Sequence, residues 1–90
     1  MLLKGKKAIV TGGSMGLGLA IANAFVTHGA SVLICARNSR ALQDAQTELD
    51  AIAGAHGAIV HALVCDVSSE SEVSRLFDQA LEVLGGLDIL

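Results

Sequence analysis

The chain has 90 residues, of which 52% are hydrophobic and 17% charged, and its mean hydropathy is +0.60. This composition excludes a solvated disordered tail, and a chain below about 100 residues has room for one domain at most. The net charge of −3 and a pI near 5.4 exclude the basic stripe of a nucleic-acid binder. The longest apolar runs fall well short of the ~18 residues of a membrane span, and no apolar leader precedes Lys4, Lys6 and Lys7. The expectation is a soluble, untargeted, cytoplasmic protein with no nucleic-acid or membrane partner.

Lys7 to Thr11 is a short apolar run and reads as a buried strand. Glycines follow, and Leu17, Ala20, Ile21, Ala24 and Phe25 then trace a helical stripe that Gly29 ends. Ser31 to Ala36 is a second strand. Leu42, Ala45, Leu49, Ile52 and Ala53 trace a second helix that stops near Gly54 and Gly57. Ile59 to Cys65 is a third strand. Ser69 with Glu72 forms a capping box ahead of Val73, Leu76, Phe77, Ala80, Leu81 and Leu84. Gly85 and Gly86 stop that helix, and Leu87 to Leu90 opens a fourth strand.

Apolar strands alternating with amphipathic helices define an α/β fold, a Rossmann-type doubly wound parallel sheet. Right-handed crossovers place the first two helices on one face and the third on the other, with strand order 3-2-1-4. Ligands of such sheets bind beyond the carboxyl ends of the strands, where the order reverses between strands one and four. The glycine cluster lies at that point.

The segment Thr11-Gly12-Gly13-Ser14-Met15-Gly16-Leu17-Gly18 joins strand one to helix one. Small residues let the backbone approach phosphate oxygens, and the N–H groups of the helix start favour negative charge. A P-loop requires Lys and then Ser or Thr after its last glycine, but Leu19 and Ala20 follow Gly18. The dinucleotide pattern G-x-G-x-x-G fails as well, because Ile21 stands where its third glycine belongs. What fits is G-x-x-x-G-x-G on Gly12, Gly16 and Gly18.

This stretch resembles the classical short-chain dehydrogenases/reductases, whose first turn reads T-G-x-x-x-G-h-G with h aliphatic. Cys65-Asp66-Val67 and Gly85-Gly86-Leu87-Asp88-Ile89-Leu90 extend the resemblance over the whole chain. It implies a nicotinamide cofactor, held at the turn by Gly12, Ser14, Met15, Gly16, Leu17 and Gly18, with Asp66 and Val67 at the adenine. It also implies hydride transfer between NADP(H) and a small-molecule carbonyl or alcohol substrate in a parent homo-oligomer. The family's catalytic Ser and Y-x-x-x-K come further along the chain, and these 90 residues contain no Tyr. Residues 1–90 therefore read as the amino-terminal, cofactor-binding part of a Rossmann domain, cut in its fourth strand and inactive by itself. The competing readings are a non-catalytic NADP-binding or partner-binding module and a structural fragment without cofactor.

An NAD site places Asp or Glu about 20 residues beyond the glycines, at the end of strand two. Here that strand ends Cys35-Ala36-Arg37-Asn38, and the first acid is Asp44, inside the next helix. Arg37 offers a fork of donors suited to a 2′-phosphate, with Asn38 and Arg40 beside it, so the expected cofactor is NADP(H). Cys35 and Cys65 read as core thiols in a reducing compartment. His28, His56 and His61 lack metal-ligand spacing. No catalytic or metal-binding residue is expected.

Overall fold

The computed structural model describes residues 2–88. In chain order it contains β1 (Lys7–Thr11), α1 (Gly16–Thr27), β2 (Ser31–Ala36), α2 (Ser39–Ala53), β3 (Val60–Val64) and α3 (Glu70–Leu84). One turn of 3-10 helix, Gly54–His56, follows α2. The first two strands have the expected bounds, and β3 is one residue shorter at each end.

The strands are parallel, with β2 between β1 and β3. Ile9 aligns with Leu33, and Leu33 with His61. Alternate side chains serve opposite faces. Ala8, Val10, Val32, Ile34 and Val60 pack with Ala22 and Val26 of α1 and with Leu42, Ala45, Leu49 and Ala53 of α2. Ile9, Leu33 and Cys35 pack on the other face with Cys65 and with Leu76, Ala80 and Leu84 of α3. β2 is buried on both faces, which explains why its sequence is apolar without alternation.

Leu87 and Asp88 are not in a strand, and Ile89 and Leu90 lie outside the described residues. The Asp88 N–H nevertheless donates to the Lys7 carbonyl at 2.7 Å, and Asp88 Oδ2 accepts the Lys7 N–H at 3.0 Å. Lys6 gives its carbonyl to Ser31 of β2, so the groups of Lys7 face the opposite edge of β1. Asp88 thus stands on the edge where order 3-2-1-4 puts the next strand.

Two local expectations are corrected. The stripe expected of α1 is not its buried face: Leu17 is 77% and Ile21 38% exposed, while Ala22 and Val26 are fully buried. This helix is apolar around most of its circumference, so periodicity cannot choose between faces, and contact with β1, β2 and α2 selects the smaller side chains. The capping box does not form either. Ser69 is the N-cap of α3, but its side chain makes no capping bond. Its N–H already donates to the Asp66 carbonyl at 3.0 Å. Glu72 reaches one turn further back, and its Oε1 accepts the Asp66 N–H at 3.2 Å.

Candidate functional site

The glycine turn is shaped by what its side chains would strike. A Cβ on Gly18 would run into the Gly12 carbonyl oxygen, so the start of α1 folds directly onto the residue that follows β1. A Cβ on Gly13 would meet Ile34 Cγ2 at 2.8 Å. Gly13 lies outside the G-x-x-x-G-x-G pattern and escaped the sequence reading; the signal was the glycine pair following the strand. Gly16 differs from both: its φ is +57° and the space around it is open, so conformation rather than clearance demands glycine there. The N–H groups of Gly12 and Gly13 donate to the Cys35 carbonyl at 2.9 and 3.3 Å. Met15, the N-cap of α1, supplies no side-chain cap, and the first turn holds no acid. The positive end of this helix therefore faces the turn without a neutralising group from its own first residues.

Beside this turn, at the carboxyl ends of the strands, lies a cleft of about 360 Å³ lined by Gly12, Cys35, Ala36, Arg37, Cys65, Asp66, Val67 and Ser68. It brings together Gly12, Arg37, Asp66 and Val67 of the expected residues. Ser14, Met15, Leu17, Gly18, Asn38 and Arg40 are not among its walls, and Gly16 borders a separate groove with Leu19, Ala20, Asn23 and Glu48. Asn38 was expected only as a neutral donor. Its Oδ1 accepts the Ala41 N–H at 2.9 Å and caps α2, so that oxygen is committed to the helix while the amide donors are not. Arg40 sits exposed in the first turn of α2.

Asp66 and Arg37 give the cleft an acceptor and a donor of opposite charge. Asp66 Oδ1 accepts both the Ser68 hydroxyl at 2.7 Å and the Ser68 N–H at 2.9 Å. These bonds, with a smaller contribution from the Arg37 guanidinium, hold the Asp66 carboxyl below the usual carboxylate range. It is ionised at neutral pH and acts only as an acceptor. Cys35 and Cys65 are free, buried thiols at the same cleft. Burial, helped by Cys65, pushes the Cys35 thiol up to about 11. Burial and then the Glu72 carboxylate push Cys65 up as well. Both stay neutral at pH 7 and behave as small apolar groups. Ala36 ends β2 without a carboxylate, and Asp44 is exposed on α2.

Apolar walls, a fixed acceptor, a guanidinium and a backbone turn that tolerates close approach together suit a flat heteroaromatic ring joined to anionic groups. Among the described residues no three His, Cys, Asp or Glu side chains are grouped to hold a metal ion. No helix there is long and apolar enough to cross a membrane.

Comparison with known proteins identifies the family. The family model described as short chain dehydrogenase matches residues 6–90. The 7alpha-hydroxysteroid dehydrogenase of Escherichia coli is 41% identical over 88 residues, covering 98% of this chain and 33% of that enzyme. A short-chain type dehydrogenase/reductase from Mycobacterium ulcerans superposes with a TM-score of 0.92 at 32% identity, over 99% of this chain and 32% of that one. An NAD+-bound xylitol dehydrogenase gives a TM-score of 0.90 at 28% identity, over 99% of this chain and 33% of that one. This chain spans about a quarter to a third of the length of the curated relatives it matches. By sequence over residues 6–90 and by fold over nearly its whole length, the chain belongs to the short chain dehydrogenase family.

Proposed function

We propose that residues 1–90 are the NADP(H)-binding part of an oxidoreductase that acts on a small-molecule carbonyl or alcohol. The observation that carries the choice of cofactor is the end of β2, where Ala36 replaces a ribose-binding acid and Arg37 lines the same cleft as Gly12 and Asp66. In this reading the turn from Gly12 to Gly18, with Ser14, Met15, Gly16 and Leu17, holds the pyrophosphate against the open helix start. Arg37 pairs with the 2′-phosphate, with Asn38 and Arg40 as further donors. Asp66 and Val67 meet the adenine. When bound, NADP(H) supplies or accepts the hydride; the residues described here bind and orient it and hold its charge. A catalytic Ser, Tyr and Lys are assigned to no position among these residues.

Fluorescence titration of the purified protein with NADPH and NADH tests the reading. NADPH should bind more tightly. Arg37→Ala should weaken NADPH by about 10- to 150-fold, equivalent to roughly 1.5–3 kcal/mol for a charge-assisted phosphate contact, and leave NADH nearly unchanged. Equal or tighter binding of NADH overturns the NADP assignment, and the NAD+ of the xylitol dehydrogenase then becomes the better guide.

A further inference from the structure

The expected capping box fails, and its failure leaves Glu72 with a different task. The turn between β3 and α3 carries Asp66, Val67 and Ser68 into the cleft, and α3 grips it from both sides. Glu72 Oε1 accepts the Asp66 N–H at 3.2 Å. The same oxygen lies 3.6 Å from Arg75 Nη2, and that nitrogen donates to the Val64 carbonyl at 3.0 Å. Arg75 thereby holds the last residue of β3 and Glu72 the first residues after it. The Cys65 thiol between them donates to the Glu72 carbonyl at 3.5 Å.

We propose that Glu72 and Arg75 are positioning residues for the Asp66 turn and set how tightly the cleft binds the adenosine half of the cofactor. The inference rests on the nucleotide reading above. The Asp66 carboxylate has one oxygen, Oδ1, tied to Ser68, and among the described residues Oδ2 takes no hydrogen bond. A carboxylate so anchored can present Oδ2 in one direction only if the backbone beneath it is fixed. Within the turn, local bonds fix the backbone relative to itself: Ser69 N–H to Asp66 carbonyl, and Ser68 N–H to Asp66 Oδ1. They do not fix the turn relative to the sheet. The Cys65 N–H ties the start of the turn to the Ala36 carbonyl of β2 at 3.0 Å, and the Glu72–Arg75 pair carries that link on to Asp66, because it spans from α3 to the β3 terminus and touches backbone at both ends. Removing it leaves the turn intact as a local unit, held to the sheet at Cys65 and free to tilt about that point over the cleft.

Binding of NADPH, 2′,5′-ADP and reduced nicotinamide mononucleotide to the purified protein separates positioning from general damage. Glu72→Ala and Arg75→Ala should weaken NADPH and 2′,5′-ADP by about 5- to 30-fold, the range that roughly 1–2 kcal/mol produces, and leave the mononucleotide unchanged. Glu72→Gln keeps an amide oxygen for the Asp66 N–H and should restore most of the lost affinity. Circular dichroism confirms that the variants remain folded, and Glu72→Gln decides the matter if Glu72→Ala unfolds. The proposal is overturned if all three ligands weaken together, if Glu72→Gln is as weak as Glu72→Ala, or if none of the ligands responds. Should the unaltered protein bind neither NADPH nor 2′,5′-ADP, the nucleotide reading itself falls and the clamp falls with it. Normal 2′,5′-ADP binding that Asp66→Ala weakens and Glu72→Ala does not defeats the clamp alone.

Discussion

The cleft lies between two turns that solve the same problem by opposite means. The β1–α1 turn holds its shape through missing side chains: Gly18 lets the helix start lie against the Gly12 carbonyl, and Gly13 lets the turn rest on Ile34. The β3–α3 turn holds its shape through added ones: Asp66, Ser68, Glu72 and Arg75 bind it with side-chain hydrogen bonds. The first presents bare backbone to a ligand, the second a charged oxygen. The glycine turn should accordingly fail abruptly when an atom is added at Gly18, because backbone cannot retreat from backbone. The acid turn should fail by degrees, since its bonds to Ser68 and Arg75 are exposed and replaceable by water and that to Glu72 is only partly buried.

The sharpest contrast comes from Gly18→Val. Its Cβ would occupy the Gly12 carbonyl, so a loss of about 3 kcal/mol is expected, near the top of what overpacking causes. For a domain of this size that corresponds to a fall in Tm on the order of 15 °C by calorimetry. A fall of only a degree or two would show that the turn can open. Gly16 divides clearance from conformation. Gly16→Val should lose about 1–3 kcal/mol, because a branched residue is held at positive φ, whereas Gly16→Asn should keep most of the stability, since Asn tolerates that region. Both should lose NADPH affinity in the titration above. Equal stability of the two variants would refute the conformational account.

The smallest effect is expected in the acid turn. Asp66 titrates below its unfolded value chiefly because of the Ser68 hydroxyl. Its contribution to stability is therefore complete above the ordinary carboxylate range and is lost as pH falls through the native value. Ser68→Ala should narrow the difference in Tm between about pH 5 and pH 2 and leave Tm at pH 7 changed by no more than a degree or two. An unchanged acid limb would assign the shift elsewhere.

The strands were legible because each is a continuous apolar run between glycine-rich or polar breaks, and parallel strands covered on both faces need such runs. The placement of α1 and α2 opposite α3 followed from crossover handedness. The face of α1 was not legible, because Leu17 and Ile21 look more core-like than Ala22 and the helix is apolar around most of its circumference. At the site, the need for glycine at 16 and 18 was readable from spacing, and the place of Arg37 at the cleft from its position after the last residue of β2. Gly13, the Asn38 cap and the reach of Glu72 were not, since each depends on a neighbour distant in sequence or on a bond already used by another group.

The Cys35 carbonyl, which accepts from both Gly12 and Gly13, acts as a common datum for the cleft. Two residues after it stands Arg37, so the distance between the turn and the guanidinium is measured along β2 from one oxygen. In a parallel pair, a slip of a single residue turns the neighbouring carbonyl away from β1 and sends each side chain of the strand to the other face. Such a slip would break the bonds to the turn, exchange Ile34 and Cys35 between cores, and displace Arg37 in one event. On the proposed reading, the bond that checks the register of β2 also checks the seat of the ligand, and molecules in the wrong register would have no intermediate affinity to offer.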